Sequence, residues 1–153
     1  MAAVRVLVAG ASGFVGRRLC PALAEAGHDV AAMTRDPDRY SGAGTPVYGD
    51  VRDPGTLSTA MADCDAACYL VHSLSDADFE RKDAEAAATF GETAALAGLQ
   101  RIIYLGGLGD DKDTLSAHLR SRRKVERLLR TGGVPVTVIR AGIIVGHGGF
   151  PGN

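Results

Sequence analysis

An apolar run of Val4, Val6, Leu7, Val8 and Ala9 stops on Gly10, and two more glycines follow in the spacing G-x-x-G-x-x-G, at Gly13 and Gly16. Because both faces of the run are apolar and it ends at a glycine, it reads as a buried parallel strand. Gly10 permits the tight turn. Gly13 lets backbone N–H groups approach a pyrophosphate, and Gly16 allows the next helix to pack close to the strand. The N-terminus of that helix then faces the anion. Phe14, Val15, Leu19, Leu23 and Ala26 form its apolar face, and Gly27 stands where a helix-ending glycine belongs. A glycine triplet alone is a weak signal in a chain with 20 glycines. The strand before it and the helix after it make it a nucleotide-binding turn. Its contact residues are Gly10, Ser12, Gly13, Phe14, Val15 and Gly16.

Further apolar runs alternate with helical segments, the pattern of repeated strand–helix units around a parallel sheet. Strands are expected at residues 4–9, 29–34, 46–49, 66–71, 101–106 and 134–140. Helices are expected at 14–26, 54–62, 78–97 and 115–130. The third helix has the clearest periodicity, through Phe79, Asp83, Ala86, Ala87, Phe90, Ala94 and Ala97, with Asp76 as its cap. Right-handed crossovers then give a three-layer α/β fold, a Rossmann-type doubly wound parallel sheet in strand order 3-2-1-4-5-6. Ligand is expected outside the carboxyl ends of the strands.

At 153 residues the chain has room for one cofactor domain, and no linker, repeat or low-complexity tract divides it. The formal net charge of -1, with acids and bases interspersed, argues against a nucleic-acid surface. The densest cationic run, Arg120, Arg122, Arg123, Lys124, Arg127 and Arg130, falls on the last helix and reads as a solvated face. No apolar stretch reaches the roughly 18 residues of a membrane span. Residues 4–9 are too short for a signal peptide core, so a cytoplasmic address is expected. Cys20, Cys64 and Cys68 are odd in number and lie in apolar surroundings, which reads as reduced core thiols rather than a disulfide or zinc framework.

The strand exits carry the polar candidates. After the second strand, Thr34 cannot offer the acid that selects the ribose diol of NAD, whereas Arg35 offers a bidentate fork for a 2′-phosphate. NADP(H) is therefore favoured over NAD(H). Asp36 leaves the choice open, since it can pair with Arg35 or contact the ribose, and Arg35 can also be an ordinary surface cation. After the third strand, Asp50 is suited to accept a hydrogen bond from an adenine amino group, with turn-capping as the competing explanation.

Five segments taken together resemble the short-chain dehydrogenase/reductase superfamily, especially its atypical and extended NmrA-like and sugar-nucleotide epimerase-like members. They are GASGFVG at Gly10–Gly16, GDVRD at Gly49–Asp53, YLVHSL at Tyr69–Leu74, RIIYLGGLG at Arg101–Gly109 and VIRAGIIVG at Val138–Gly146. The resemblance implies that Asp50 and Val51 contact adenine and that Leu70, Val71 and His72 lie along the ribose and pyrophosphate. It also implies that Arg140, Ala141 and Gly142 approach the nicotinamide.

The departures from that family bear on catalysis. Family chemistry uses a Ser or Thr hydroxyl after the fifth strand and a Tyr-x-x-x-Lys pair on the next helix, where the lysine lowers the tyrosine pKa and grips the ribose. Here Gly106 and Gly107 end the strand, and His118 and Arg122 fall at the tyrosine and lysine positions. His118 can exchange a proton near neutral pH, and Arg122 can hold a ribose or phosphate one helical turn away, but a guanidinium keeps its charge. A variant catalytic pair, a cofactor clamp and an ordinary helix-surface pair all stay open. Ser116 and Ser121 are alternative hydroxyls without the family spacing, and His28 and His147 read as turn or surface residues.

The resemblance further implies a C-terminal substrate region absent from residues 1–153. Either a longer oxidoreductase or a short cofactor module is then expected, with self-association or a partner covering the C-terminal side. The function follows as NAD(P)H binding, in an oxidoreductase-like protein with a degenerate catalytic motif or in a non-catalytic NADP(H)-sensing module.

Overall fold

The computed structural model describes residues 3–71, 78–107 and 117–141. Six parallel strands form one sheet: β1 (Arg5–Ala9), β2 (Asp29–Thr34), β3 (Thr45–Tyr48), β4 (Ala66–Tyr69), β5 (Arg101–Gly107) and β6 (Val136–Ala141). Their order is β3-β2-β1-β4-β5-β6, the doubly wound arrangement, and the chain reverses direction across the sheet between β1 and β4. Four helices flank it: α1 (Gly16–Glu25), α2 (Pro54–Ala60), α3 (Phe79–Ala97) and α4 (Ala117–Leu129).

Alternation along the strands builds a core on each face of the sheet. Leu7, Ala9, Ala31, Met33, Ala67, Tyr69, Ile102 and Tyr104 pack against α2, α3 and α4. Val6, Val8, Val30, Ala32 and Cys68 point the other way, toward Cys20, Leu19 and Leu23 of α1. The strands read as continuous apolar runs because both faces are covered. Tyr69 meets Phe90 of α3 edge-on, with ring centroids 4.8 Å apart, which fixes α3 over the centre of the sheet. All three cysteines are free thiols and buried.

Element ends differ from the sequence expectation for local reasons. β4 stops at Tyr69 rather than residue 71, because its neighbour β1 ends where Gly10 turns away with φ +92°; Leu70 makes a last hydrogen bond, N–H to Ala9 O, at 3.0 Å. α1 starts at Gly16 rather than residue 14, since residues 10–15 are used in the turn. Its other end closes with Gly27 at φ +91° and His28 N–H bonded back to Leu23 O. A short 3₁₀ turn, Pro37–Arg39, was not anticipated. Pro37 starts it with a preset φ. Asp53 caps α2 by accepting the Gly55 N–H at 3.1 Å. The expected cap Asp76, with Ser116 and His147, lies outside the described residues.

The last helix is less solvated than its charge run suggests. Arg123 and Glu126 are 7% and 4% exposed, packed between α4 and the rest of the domain. The arginines are spread over several faces of a helix, so a run dense in sequence still sends some side chains inward. His28 is more than a turn residue: its Nδ1 accepts the Val4 N–H at 3.2 Å and ties the entry of β1 to that of β2.

Candidate functional site

A cavity of about 640 Å³ opens at the carboxyl ends of β1, β2, β3 and β4. This is the crevice of a doubly wound sheet, where the connections leaving β1 and β4 part to opposite sides. Eight of the residues expected to bind cofactor line it: Gly10, Ser12, Gly13, Arg35, Asp50, Val51, Leu70 and Val71.

The β1–α1 turn is shaped by what its glycines exclude. Gly10 combines a positive φ with a neighbour, Leu70, whose backbone and Cβ would be 3.2 Å from an added Cβ. At Gly16 an added Cβ would be driven into the Gly10 carbonyl oxygen and would lie 2.8 Å from Ala11 Cα. This glycine sets how closely α1 approaches β1. Gly13 is different, because a Cβ there would meet only the Gly10 carbonyl oxygen, at an ordinary 3.4 Å. The fold leaves the space above Gly13 to the cavity.

The backbone donors of the turn fall into two sets. The Gly13 N–H closes the turn onto Gly10 O at 3.1 Å, and Arg17 N–H reaches Gly13 O at 2.9 Å. The amides of Ser12, Phe14 and Val15 have no protein acceptor among the described residues, and no side chain caps α1 at Val15. Uncapped N–H groups at a helix start carry partial positive charge and would be expensive to leave dry. Phe14 is held to the side by Arg18, whose guanidinium lies 4.0 Å from the ring centroid and donates to Phe14 O at 2.9 Å.

At the β2 exit, Thr34 Oγ1 accepts the Asp36 N–H at 3.1 Å, and the Asp36 carboxylate pairs with Arg39 at 3.4 Å. Asp36 is therefore engaged away from Arg35, which lines the cavity from an exposed position. At the β3 exit, Asp50 serves its own turn as well as the cavity wall. Its Oδ1 accepts the Arg52 N–H at 3.0 Å, and its N–H donates to Thr56 Oγ1 at 3.0 Å. The turn-capping explanation thus describes one carboxylate oxygen of Asp50 while the residue still faces the cavity.

The β5–α4–β6 side is built differently. Arg140 donates to Glu126 Oε2 at 3.0 Å, and the Glu126 side chain is only 6% exposed. Glu126 also occupies the room at the β5 exit: an added Cβ at Gly106 would sit 2.8 Å from its Oε1. A side chain at Gly106 would require the Glu126 carboxylate, held by Arg140, to shift. Arg122 is half-buried on α4, with Tyr104 within reach of its charge. Burial pushes the Tyr104 phenol far above its ordinary value, with Arg122 opposing. Arg122, Arg140, Ala141, Phe14, Val15 and Gly16 do not line the cavity. His118 lies on the backbone of α4, four residues before Arg122, and its side chain is outside the described residues, as are His72 and Gly142.

Sequence reasoning missed the α3 wall, Lys82, Asp83 and Ala86, and also Arg52. Asp83 is additionally held by Ser121, whose Oγ donates to Asp83 Oδ2 at 3.4 Å. The available signal was position: the first turns of the helix after β4 must pass the crevice in a sheet of this order.

The model of a family described as NAD(P)H-binding matches residues 10–148, from the first glycine of the turn through β2 to β6. The chain belongs to this NAD(P)H-binding family. Curated relatives include a (4-alkanoyl-5-oxo-2,5-dihydrofuran-3-yl)methyl phosphate reductase of Streptomyces griseus, 32% identical over 139 residues, covering 88% of this chain and 46% of that protein. A 4-hydroxy-2-methyl-3-oxo-4-farnesyl-3,4-dihydroquinoline-1-oxide ketoreductase of Stigmatella aurantiaca is 31% identical over 110 residues, covering 67% of this chain and 33% of that protein. This NAD(P)H-binding domain spans less than half the length of either reductase. Among solved structures, the Citrobacter sp. triphenylmethane reductase complexed with NADP(H) superposes with a TM-score of 0.76 at 22% identity, over 89% of this chain and 48% of that one. The Bordetella bronchiseptica enzyme WbmH in complex with NAD+ gives 0.78 at 17%, over 95% and 57%. These likenesses show a shared Rossmann-type α/β fold. No helix among the described residues is long and apolar enough to cross a membrane.

Proposed function

We propose that this domain is the cofactor half of an atypical short-chain dehydrogenase/reductase that prefers NADP(H). The observation that carries the reading is the β1–α1 turn, where Ser12, Phe14 and Val15 leave their amides open beside a Gly13 whose Cβ space belongs to the cavity. A diphosphate fits that donor set, with α1 supplying a favourable dipole. Asp50 and Val51 then flank adenine, and Leu70, Val71 and His72 follow the ribose. The preference for NADP(H) rests on Arg35, since Asp36 is occupied with Arg39 and no acid replaces Thr34 at the β2 exit. The bound dinucleotide would supply a hydride.

Reduction is the chemistry named for the Streptomyces and Stigmatella relatives, and we extend it to this chain as the reaction class. His118 is the candidate for exchanging the proton that accompanies hydride transfer. Arg122, one turn away and permanently charged, is suited to hold the cofactor ribose or phosphate. Arg140 and Ala141, at the β6 exit, are assigned to the nicotinamide end, with Arg140 braced by Glu126. The sensing alternative rests on one sequence fact, that Gly106, His118 and Arg122 stand where the family has its hydroxyl, tyrosine and lysine. Three buried free thiols accord with a reducing, cytoplasmic setting. Ile139, 55% exposed on the edge strand β6, is where a second copy or a partner would add.

Calorimetric titration with NADPH, NADP+, NADH and NAD+ tests binding and preference together. NADPH should bind more tightly than NADH, and Arg35→Asp should reverse the order. An unchanged affinity ratio in that variant removes the 2′-phosphate role. His118→Phe separates the two classes: lost turnover with intact binding supports reduction, and intact turnover removes His118 from the chemistry.

A further inference from the structure

We propose that Arg52 is a second specificity-determining residue, forming with Arg35 a two-arginine clamp for the 2′-phosphate of the dinucleotide. The inference rests on the NADP(H) reading above and adds a residue that no strand-end rule supplies. Both arginines line the same cavity, and both are exposed.

The two side chains arise from neighbouring strand exits. Thr34 is in register with Tyr48, and the Gly49 N–H donates to Thr34 O at 3.2 Å, so β2 and β3 leave the sheet side by side. Adjacent strands are about 4.8 Å apart, well within the combined reach of two arginine side chains. The acids nearby each have a partner of their own, although Asp36 and Asp50 also line the cavity. Asp36 pairs with Arg39 at 3.4 Å, Asp50 accepts the Arg52 N–H, and Asp53 caps α2 through the Gly55 N–H. Among the described residues neither Arg35 nor Arg52 has an ion pair or side-chain hydrogen bond.

Local hydrogen bonds tie down the segment that presents Arg52. Asp53 N–H bonds to Asp50 O at 2.9 Å, and the single Thr56 hydroxyl proton is shared between the Asp50 and Asp53 carbonyl oxygens, 3.1 and 2.8 Å from Oγ1. A guanidinium offered from a fixed backbone at a cavity edge loses less entropy on binding than one on a mobile loop. The ligand chemistry that matches two unpaired guanidinium forks at one cavity edge is a phosphate monoester dianion, which each fork can grip with two charge-assisted hydrogen bonds. The adenosine 2′-phosphate is the group of that kind that distinguishes NADP(H) from NAD(H).

The test is titration of the full chain and of Arg52→Gln with NADPH, NADH, 2′-AMP and 5′-AMP, with Arg52→Lys as a third protein. Losing one charged fork should weaken NADPH and 2′-AMP about tenfold, corresponding to about 1.4 kcal/mol, and leave NADH and 5′-AMP within about twofold. Arg52→Lys should fall between, because it keeps charge without the planar fork. Equal weakening of NADPH and NADH overturns the proposal in favour of stacking on adenine, and no weakening of either overturns it outright. If the unaltered chain binds NADH as well as NADPH, the NADP(H) reading itself has failed. If that preference holds and Arg35→Asp reverses it while Arg52→Gln leaves the ratio alone, only the clamp has failed.

Discussion

Replacing Gly13 and Gly16 separately by alanine should split ligand binding from folding. At Gly16 the new methyl would be forced against the Gly10 carbonyl oxygen, with Ala11 C and Cα both 2.8 Å away. Relief requires α1 to back off from β1 by a substantial fraction of an ångström, against Cys20 and the fully buried Val8. Overpacking of this kind costs about 1–3 kcal/mol, and backbone atoms on the receiving side place this case at the upper end. At about 2–4 °C per kcal/mol for a chain near this size, the melting temperature should fall by roughly 5–12 °C. At Gly13 the methyl meets one atom at 3.4 Å, and the residue is absent from the positive-φ positions. Alanine there also restricts the unfolded chain, so stability should stay within about 1 kcal/mol of the parent or rise slightly. Binding should change in the opposite pattern. The methyl displaces an anion from the open amides, and losing one or two charge-assisted hydrogen bonds, about 1.5–3 kcal/mol each, weakens NADPH by at least about tenfold. Circular dichroism melts and calorimetry on both variants read the two effects. Unchanged NADPH affinity in Gly13→Ala, or destabilisation there equal to that of Gly16→Ala, would refute the assignment of the Gly13 space to ligand.

Arg140→Met should destabilise the domain by about 1–2 kcal/mol, measured by urea unfolding. Its removal takes a charged partner from the buried Glu126 carboxylate, but Arg140 is itself 39% exposed and so contributes less than a fully buried ion; an unchanged midpoint would show the pair to be dispensable. None of the three thiols should react promptly with Ellman's reagent in the native state at pH 8, and all three should react in denaturant. Burial excludes the reagent, and desolvation pushes the Cys68 thiol up to about 11; one fast native thiol would contradict the burial of that cysteine in its core, beside α1 for Cys20 and Cys68 and on the opposite face of the sheet for Cys64. Alkaline pH should weaken the fold. Tyr40 is pushed up to about 12 by burial and by its contact with Cys20, so between the ordinary value near 10 and about 12 the unfolded chain releases a proton that the folded chain keeps. Stability should therefore be full below pH 10 from this group and fall as pH rises through that window. Tyr40→Phe should make the fall shallower, and an identical pH profile would remove Tyr40 as a contributor.

The parts of the fold legible in the sequence are those fixed by local chemistry. The strands buried on both faces announce themselves as apolar runs, and the doubly wound order follows from handedness once strand and helix alternate. The glycine turn was readable because each glycine answers a separate steric demand. What the sequence concealed depends on which partner a side chain finds. Asp36 has Arg35 beside it in sequence yet pairs with Arg39, because the 3₁₀ turn at Pro37 brings Arg39 back toward it. Glu126 looked like one acid in a basic, solvated run, whereas the helix phase turns it inward to Arg140. Lys82, Asp83 and Arg52 join the cavity through tertiary placement, which no spacing rule along the chain encodes.

This division also orders the experiments. The described cavity is assembled from β1 to β4 and α3, whereas the candidate proton-exchanging residue lies on α4 beyond β5. In the proposed assignment, changes at Gly13, Arg35 or Arg52 would act on binding of the adenosine and diphosphate groups. Changes at His118 or Arg122 would act from α4, which packs against α3 and meets the cavity wall where the Ser121 hydroxyl donates to Asp83. If the two ends of the dinucleotide are held independently, the effects of the two sets on NADPH affinity should add in double variants to within about 0.5 kcal/mol. A His118→Phe, Arg35→Asp double variant whose NADPH affinity departs from the sum by more than about 0.5 kcal/mol would mean that the two ends are coupled, through the bound dinucleotide or through the α3–α4 contact at Asp83 and Ser121.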